Sequence, residues 1–305
     1  MQQFILTLSS STPIMQACCT GKKKKAMYKE LSAALFFAFV AGAGSTFASG
    51  YDDFSRGIDA NNRGDSETAI AAFTDAIIAT DLARAYLPVA YLGRARADMN
   101  TDQCSTAAMD LTEAIRLNPY YLDAYVLRSD ANVCLNRPIA ALADISTAIG
   151  IKPTASFYFS RARQQWSMGR FRQAAADIAE AAKFDPKDPY IVLWVGLLGR
   201  RAGNFNQLEF AQRISELNGS SWPAPLLALY RGTADPEDVY RATTNASSIR
   251  NANNQRCEAD FYVGEWQLSR GNFSTAVSLL KTAVAECPRN FIAYVAAEEE
   301  LRRSP

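Results

Sequence analysis

Residues 102–119 read DQCSTAAMDLTEAIRLNP. Ala107, Ala108, Leu111, Ala114, Ile115 and Leu117 return at the 3.6-residue period of an amphipathic helix. Asn118-Pro119 closes it, because proline cannot continue a helix and biases its predecessor away from helical angles. Cys104, where the helix begins, is open to three readings: a nucleophile, a metal ligand or a clamp.

The same helix recurs. GDSETAIAAFTDAI (64–77), NRPIAALADISTAI (136–149), GRFRQAAADIAEAA (169–182) and GNFSTAVSLLKTAV (271–284) repeat its pattern: a small anchor, a large apolar residue four later and alanine seven later. The anchors are Ala69, Ala107, Ala141, Ala174 and Ala276, and a weaker copy at 203–214 carries Leu208 there. Steps between successive anchors are 38, 34, 33, 34 and 68 residues, the last being two periods. A second helix precedes each copy, at 88–100, 122–135, 155–168, 189–202 and 257–270.

Composition agrees with an all-α class. The chain is 49% hydrophobic and 21% charged, with 12 prolines in 305 residues and little strand-type alternation. It contains no histidine, which removes Ser-His-Asp and Cys-His nucleophilic sites and every histidine-containing zinc site. No catalytic, cofactor-binding or metal-binding residue is assigned. A carboxylate-based glycosidase would have only scattered acidic pairs such as Asp52-Asp53, so no enzyme activity is expected.

Residues 22–50 place a lysine cluster before an apolar run from Leu31 to Val40, then small residues ending at Ala48-Ser49-Gly50. That is the layout of a secretory signal peptide. The run falls short of the roughly 20 residues a ~30 Å bilayer core requires. Residues 27–50 are assigned as signal and 1–26 as a disordered leader or mis-called start, Met1 and Met27 being alternative starts. Cys18 and Cys19 precede the apolar run, whereas a lipid-modified cysteine would follow it, so no membrane anchor is expected and the product is read as soluble and periplasmic. Residues 1–50 carry five lysines and one glutamate, leaving 27 basic against 30 acidic residues and a net charge of −3. That balance disfavours a nucleic-acid partner.

Helix pairs at this period, closed by Asn118-Pro119, Lys152-Pro153, Asp185-Pro186 and Cys287-Pro288, resemble tetratricopeptide repeats. The resemblance implies a right-handed superhelical solenoid over 51–303. Its repeats fall at about 51–87, 88–121, 122–154, 155–188, 189–221, a degenerate 222–256 and 257–290, with a capping helix at 291–303. Small anchors let paired helices approach within about 8–10 Å. Within 222–256, Asp235-Pro236 reads as a helix start, and 245–255 (NASSIRNANNQ) as a polar loop.

Arginine stands thirteen residues before the anchor at Arg56, Arg94, Arg128 and Arg161, and aspartate three after it at Asp110, Asp144 and Asp177. Later repeats carry neither, and the first carries Arg56 opposite Ala72. Joint presence points to partly buried ion pairs, Arg94 with Asp110, Arg128 with Asp144 and Arg161 with Asp177, because removing one member strands a charge. An anionic-ligand path along the arginines is the alternative.

The first helix of each pair normally lines the partner surface. Its register there gives Arg96, Asp130, Phe159, Arg163, Trp166, Leu197 and Arg200 as a candidate groove, with ordinary inter-repeat packing as the alternative. The lysine and asparagine ladder by which some family members grip an acidic carboxy-terminus is absent. Cys104, Cys134, Cys257 and Cys287 make an even set in an exported chain, and the repeat register puts Cys104 beside Cys134 and Cys257 beside Cys287.

Residues 259–301, with SWPAPLLALYRG (221–232), resemble the NlpI family of bacterial envelope proteins through Phe261-Tyr262-Val263-Gly264, Gly271, Ala276, Asn290-Phe291 and Glu300-Leu301. That resemblance implies a periplasmic scaffold, often a homodimer, which docks an envelope protease and peptidoglycan hydrolases and has no chemistry or cofactor of its own. An assembly factor for a secretion, pilus or polysaccharide-export system fits the repeats equally.

Overall fold

The structure is a computed structural model and describes residues 49–303 apart from Asn218 and Asn290. The leader at 1–26 and nearly all of the signal segment lie outside the described residues. Ser49 and Gly50, read from the sequence as the end of that segment, take part in the fold. The Ser49 hydroxyl accepts from the Asp52 amide, the Asp52 carboxylate accepts from the Ser49 amide, and the Gly50 amide donates to Asp81 Oδ1 at 3.0 Å. The first helix therefore carries a complete capping box.

Among the described residues there are fifteen α-helices and one 3₁₀ turn, with no strand. The chain divides at Arg137–Pro138 into two compact units. The first holds α1 (Gly50–Arg63), α2 (Ser66–Ile78), α3 (Leu87–Asn100), α4 (Cys104–Leu117) and α5 (Leu122–Cys134). The second holds α6 (Pro138–Ile151), α7 (Ala155–Ser167), α8 (Phe171–Phe184), α9 (Pro189–Ala202), α10 (Gln207–Ser215), α11 (Ala224–Arg231), α12 (Pro236–Thr243), α13 (Ile249–Ser269), α14 (Phe273–Glu286) and α15 (Ile292–Arg303).

Packing within the pairs follows from residue size. Each alanine anchor is fully buried, and the large residue four later, Phe73, Leu111, Ile145, Ile178 or Leu280, fills the space the anchor opens. First helices supply small residues opposite: a Cβ built on Gly57 of the same pair, or on Gly93 of the next pair, would stand within 3 Å of the Phe73 ring, and one on Gly264 would stand 3.2 Å from Leu280. Glycine is required at those positions by close approach, with no turn involved.

Two sequence expectations are corrected. Leu208, read as the sixth anchor, is 80% exposed, and Phe210 is buried in its stead, against Gly196. Asn206 caps α10 and starts it in a register that turns Leu208 to solvent. The expected polar loop at 245–255 is helical from Ile249 onward, because Ser248 accepts from the Asn251 amide and starts α13 two turns before its apolar pattern begins. Tertiary contact supports this extension, with Arg256 5.2 Å from the Tyr240 ring centroid.

Candidate partner-binding surface

In the first unit Arg94 grips Asp110 with two parallel bonds, Nε to Oδ2 at 2.7 Å and Nη2 to Oδ1 at 2.8 Å. Its third nitrogen, Nη1, donates to Thr74 Oγ1 at 3.0 Å, and its guanidinium lies 5.7 Å from the Tyr91 ring. One arginine thus ties the second helix of its own pair to that of the pair before. The bond to Asp110 holds the Arg94 pKa above its ordinary value.

Arg161 repeats the arrangement in the second unit. It meets Asp177 at 2.8 and 2.7 Å, Ser146 Oγ at 3.2 Å and the Tyr158 ring at 5.6 Å, while Gln165 donates to Asp177 Oδ2 at 2.7 Å. Arg128 donates to Thr112 Oγ1 at 3.1 Å and lies 5.7 Å from the Tyr125 ring. Asp144 is buried, and it and Arg128 fall in different units. Arg56 has its own acidic partners, Asp53 at 2.7 Å and Asp75 at 3.1 Å, in place of the expected lone charge opposite Ala72.

Sequence reading missed the hydroxyl partner, although its signal was there. Thr74, Thr112 and Ser146 each stand five residues after an anchor, and only where the next repeat carries the arginine. Before Val195 the same place holds Ala179.

Both disulfides lie at helix ends. Cys104, the first residue of α4, is bonded to Cys134, the last of α5, with Cα atoms 6.2 Å apart. Cys257 on α13 is bonded to Cys287, just past α14, with Cα atoms 5.3 Å apart. Neither pair leaves a thiolate for nucleophilic or metal chemistry.

The candidate groove residues divide by burial. Arg96 and Asp130 in the first unit, and Phe159, Arg163 and Arg200 in the second, keep partial exposure. Trp166 and Leu197 are 2% and 1% exposed and sit in the core of the second unit, off the accessible surface. Trp166 stands edge-on to Trp194 at 5.7 Å and to Phe261 at 6.1 Å, and Phe159 stands edge-on to Trp194 at 5.4 Å. Arg200 Nη2 donates to the Tyr230 carbonyl at 2.6 Å, and its guanidinium lies 4.0 Å over Phe205. Arg200 therefore stitches α9 to α11.

A polar network, partly buried at Glu258 and buried at Tyr262, joins these helices. Glu258 accepts from Tyr190 Oη at 2.9 Å and Trp222 Nε1 at 2.6 Å, both neutral donors, and burial raises its pKa. Trp194 Nε1 donates to Tyr262 Oη at 3.0 Å, and Tyr230 Oη donates to the Tyr262 carbonyl at 2.9 Å. These bonds fasten the irregular α11–α12 segment to the repeats.

Among the described residues no cluster of acidic or cysteine side chains could hold a metal ion, and no helix is long and apolar enough to cross a membrane. No family model matches the chain. It is 27% identical over 209 residues to the "Lipoprotein NlpI homolog" of Haemophilus influenzae, a match covering 65% of this chain and 64% of that relative's length. A solved tetratricopeptide repeat protein from Parabacteroides merdae superposes with a TM-score of 0.55 at 15% identity, over 83% of this chain and 97% of the other. The alanine-anchored helix pairs and this superposition agree on the fold: the chain has the fold of a tetratricopeptide repeat protein and is similar in sequence to an NlpI homolog.

Proposed function

We propose that the protein is a non-enzymatic adaptor of the bacterial periplasm that binds other proteins through the first helices of its repeats. The observation that carries this reading is the allocation of side chains. The alanine anchors of the second helices and the large residues four later are buried, while the first helices, besides their own core residues, keep Arg96, Asp130, Phe159 and Arg163 partly exposed. Export is supported by two disulfides joining all four cysteines from residue 51 onward. The similarity to a relative named a lipoprotein supports a place in the cell envelope; a protease or peptidoglycan hydrolase as the docked protein, and a homodimer as the assembly, are what the family resemblance of the sequence implies. A free form without lipid is the reading for this chain, although that relative is called a lipoprotein.

The purified chain, immobilised and exposed to a periplasmic extract, is expected to retain a reproducible partner set that weakens when Phe159 and Arg163 are both changed to alanine. No retained protein, or a set indifferent to those changes, would overturn the reading. Genomic neighbours from a secretion or export machine would favour the assembly-factor alternative.

A further inference from the structure

The second unit closes on its own C-terminal helix. α15 packs along α13 and α14 and reaches back to α7. Its buried residues are Ala293, Ala296, Ala297 and Glu300, with Ile292, Tyr294 and Leu301 at the margins. A face of three alanines and a carboxylate offers far less apolar area than the leucines and phenylalanines inside the repeats. Charged contacts do much of the holding.

Those contacts reach the ends of α7 and α9 and the start of α8. Arg201 at the end of α9 meets Glu300 at 2.7 Å. Arg303 lies 4.3 Å over the Trp166 ring of α7 and 5.5 Å over Phe171, donates to the Trp166 carbonyl and pairs with Glu300. Trp166 Nε1 is buried with no hydrogen-bond partner among the described residues. A cleft of about 360 Å³ between Gly169–Gln173 and Arg201 adjoins this contact. Trp166, a candidate groove residue by register, is thus covered by the chain itself.

We propose that α15 is an internal occupant of the second unit's partner surface, displaced by an amphipathic helix of the same chemistry: a small-residue face, a carboxylate set on Arg201, and a cation three residues later lying over Trp166. This rests on the scaffold reading above and adds the kind of partner. A displacing helix must reproduce these contacts and also outcompete a tethered occupant, so a loosened α15 is the state that exposes the surface.

The test uses the full chain and a fluorescent synthetic peptide of residues 288–303. The double variant Glu300→Gln/Arg303→Gln loosens α15 and is expected to bind the peptide at least tenfold more tightly than the unaltered chain does. Adding Arg201→Ala is expected to abolish the gain. Hydrogen exchange on the unaltered chain gives a second readout that needs no variant: α15 amides are expected to exchange at least tenfold faster than those of α14. Equal peptide affinity for both chains, or α15 exchanging together with α14, would overturn the proposal. If the peptide arm fails while the extract partners of the unaltered chain persist, the occupant idea falls and the scaffold stands. An extract that yields no partner removes the scaffold reading itself.

Discussion

Arg201 on α9 and Glu300 on α15 are 99 residues apart in sequence and 2.7 Å apart in space. Glu265 of α13 lies behind them, 1% exposed and 3.7 Å from Arg201. Four ionisable residues, Arg201, Glu265, Glu300 and Arg303, therefore meet where three helices come together.

That cluster makes stability depend on pH. Burial first, and the Glu300 charge second, push the Glu265 carboxyl from 4.5 up to about 8. Between those values the folded state binds more protons than the unfolded chain, so stability falls as pH rises through this window. The melting temperature is expected to drop between pH 5 and pH 8, and Glu265→Gln, which mimics the protonated carboxyl, should flatten that slope. Glu258, Asp98, Asp188 and Asp260, raised in the same direction by burial, supply the residual slope. An equally steep profile in Glu265→Gln would remove Glu265 from the account.

The Arg94–Asp110 pair predicts a strongly non-additive cycle. Asp110→Ala strands a guanidinium that is mostly shielded from water and should cost about 3 kcal/mol. Replacing both members with apolar residues of similar volume should recover most of that loss. Thr74→Ala, which removes only the third bond, should cost about 1 kcal/mol. Denaturant titration of the parent chain, the single variants at Arg94 and at Asp110 and the double variant gives the coupling energy, and additive losses would show that the pair is not a unit.

Helix approach in the first unit sets a limit on side-chain size. Gly93→Ala would bring a Cβ within 2.4 Å of the Phe73 ring and should cost about 1–3 kcal/mol. Changing Phe73 to leucine in the same chain should recover part of the loss, since the clash is with the ring. Unchanged stability in Gly93→Ala would contradict the packing described here.

Each disulfide closes a loop of 30 residues and, in the chain-entropy account, contributes about 3–4 kcal/mol. Reduction should lower the melting temperature, and Cys104→Ala/Cys134→Ala should do so without abolishing the Cys257–Cys287 bond. A Cys104–Cys257 peptide in non-reducing mass mapping would contradict this pairing.

The fold was legible because its determinants are local and repeated. An alanine that must let two helices touch returns at nearly constant spacing, and Ala69, Ala107, Ala141, Ala174 and Ala276 are all fully buried. The surface was less legible, because periodicity says which side of a helix faces inward and nothing about what arrives from a distant part of the chain. Trp166 has the register of a partner-facing residue, yet Arg303, 137 positions away, covers it. Leu208 and the segment after Ser248 were misread for another reason: Asn206 and Ser248 set helix starts by capping, and caps override a weak apolar pattern.

The central claim is that first helices meet a protein partner while second helices pack the interior. Photo-crosslinking in cells, with a benzophenone side chain placed in turn at Phe159 and Arg163 on α7 and at Glu180 and Lys183 on α8, tests it most directly. The account predicts discrete crosslinked protein bands from the α7 positions and none from α8. Bands of equal strength from both helices, or none from α7, would contradict it.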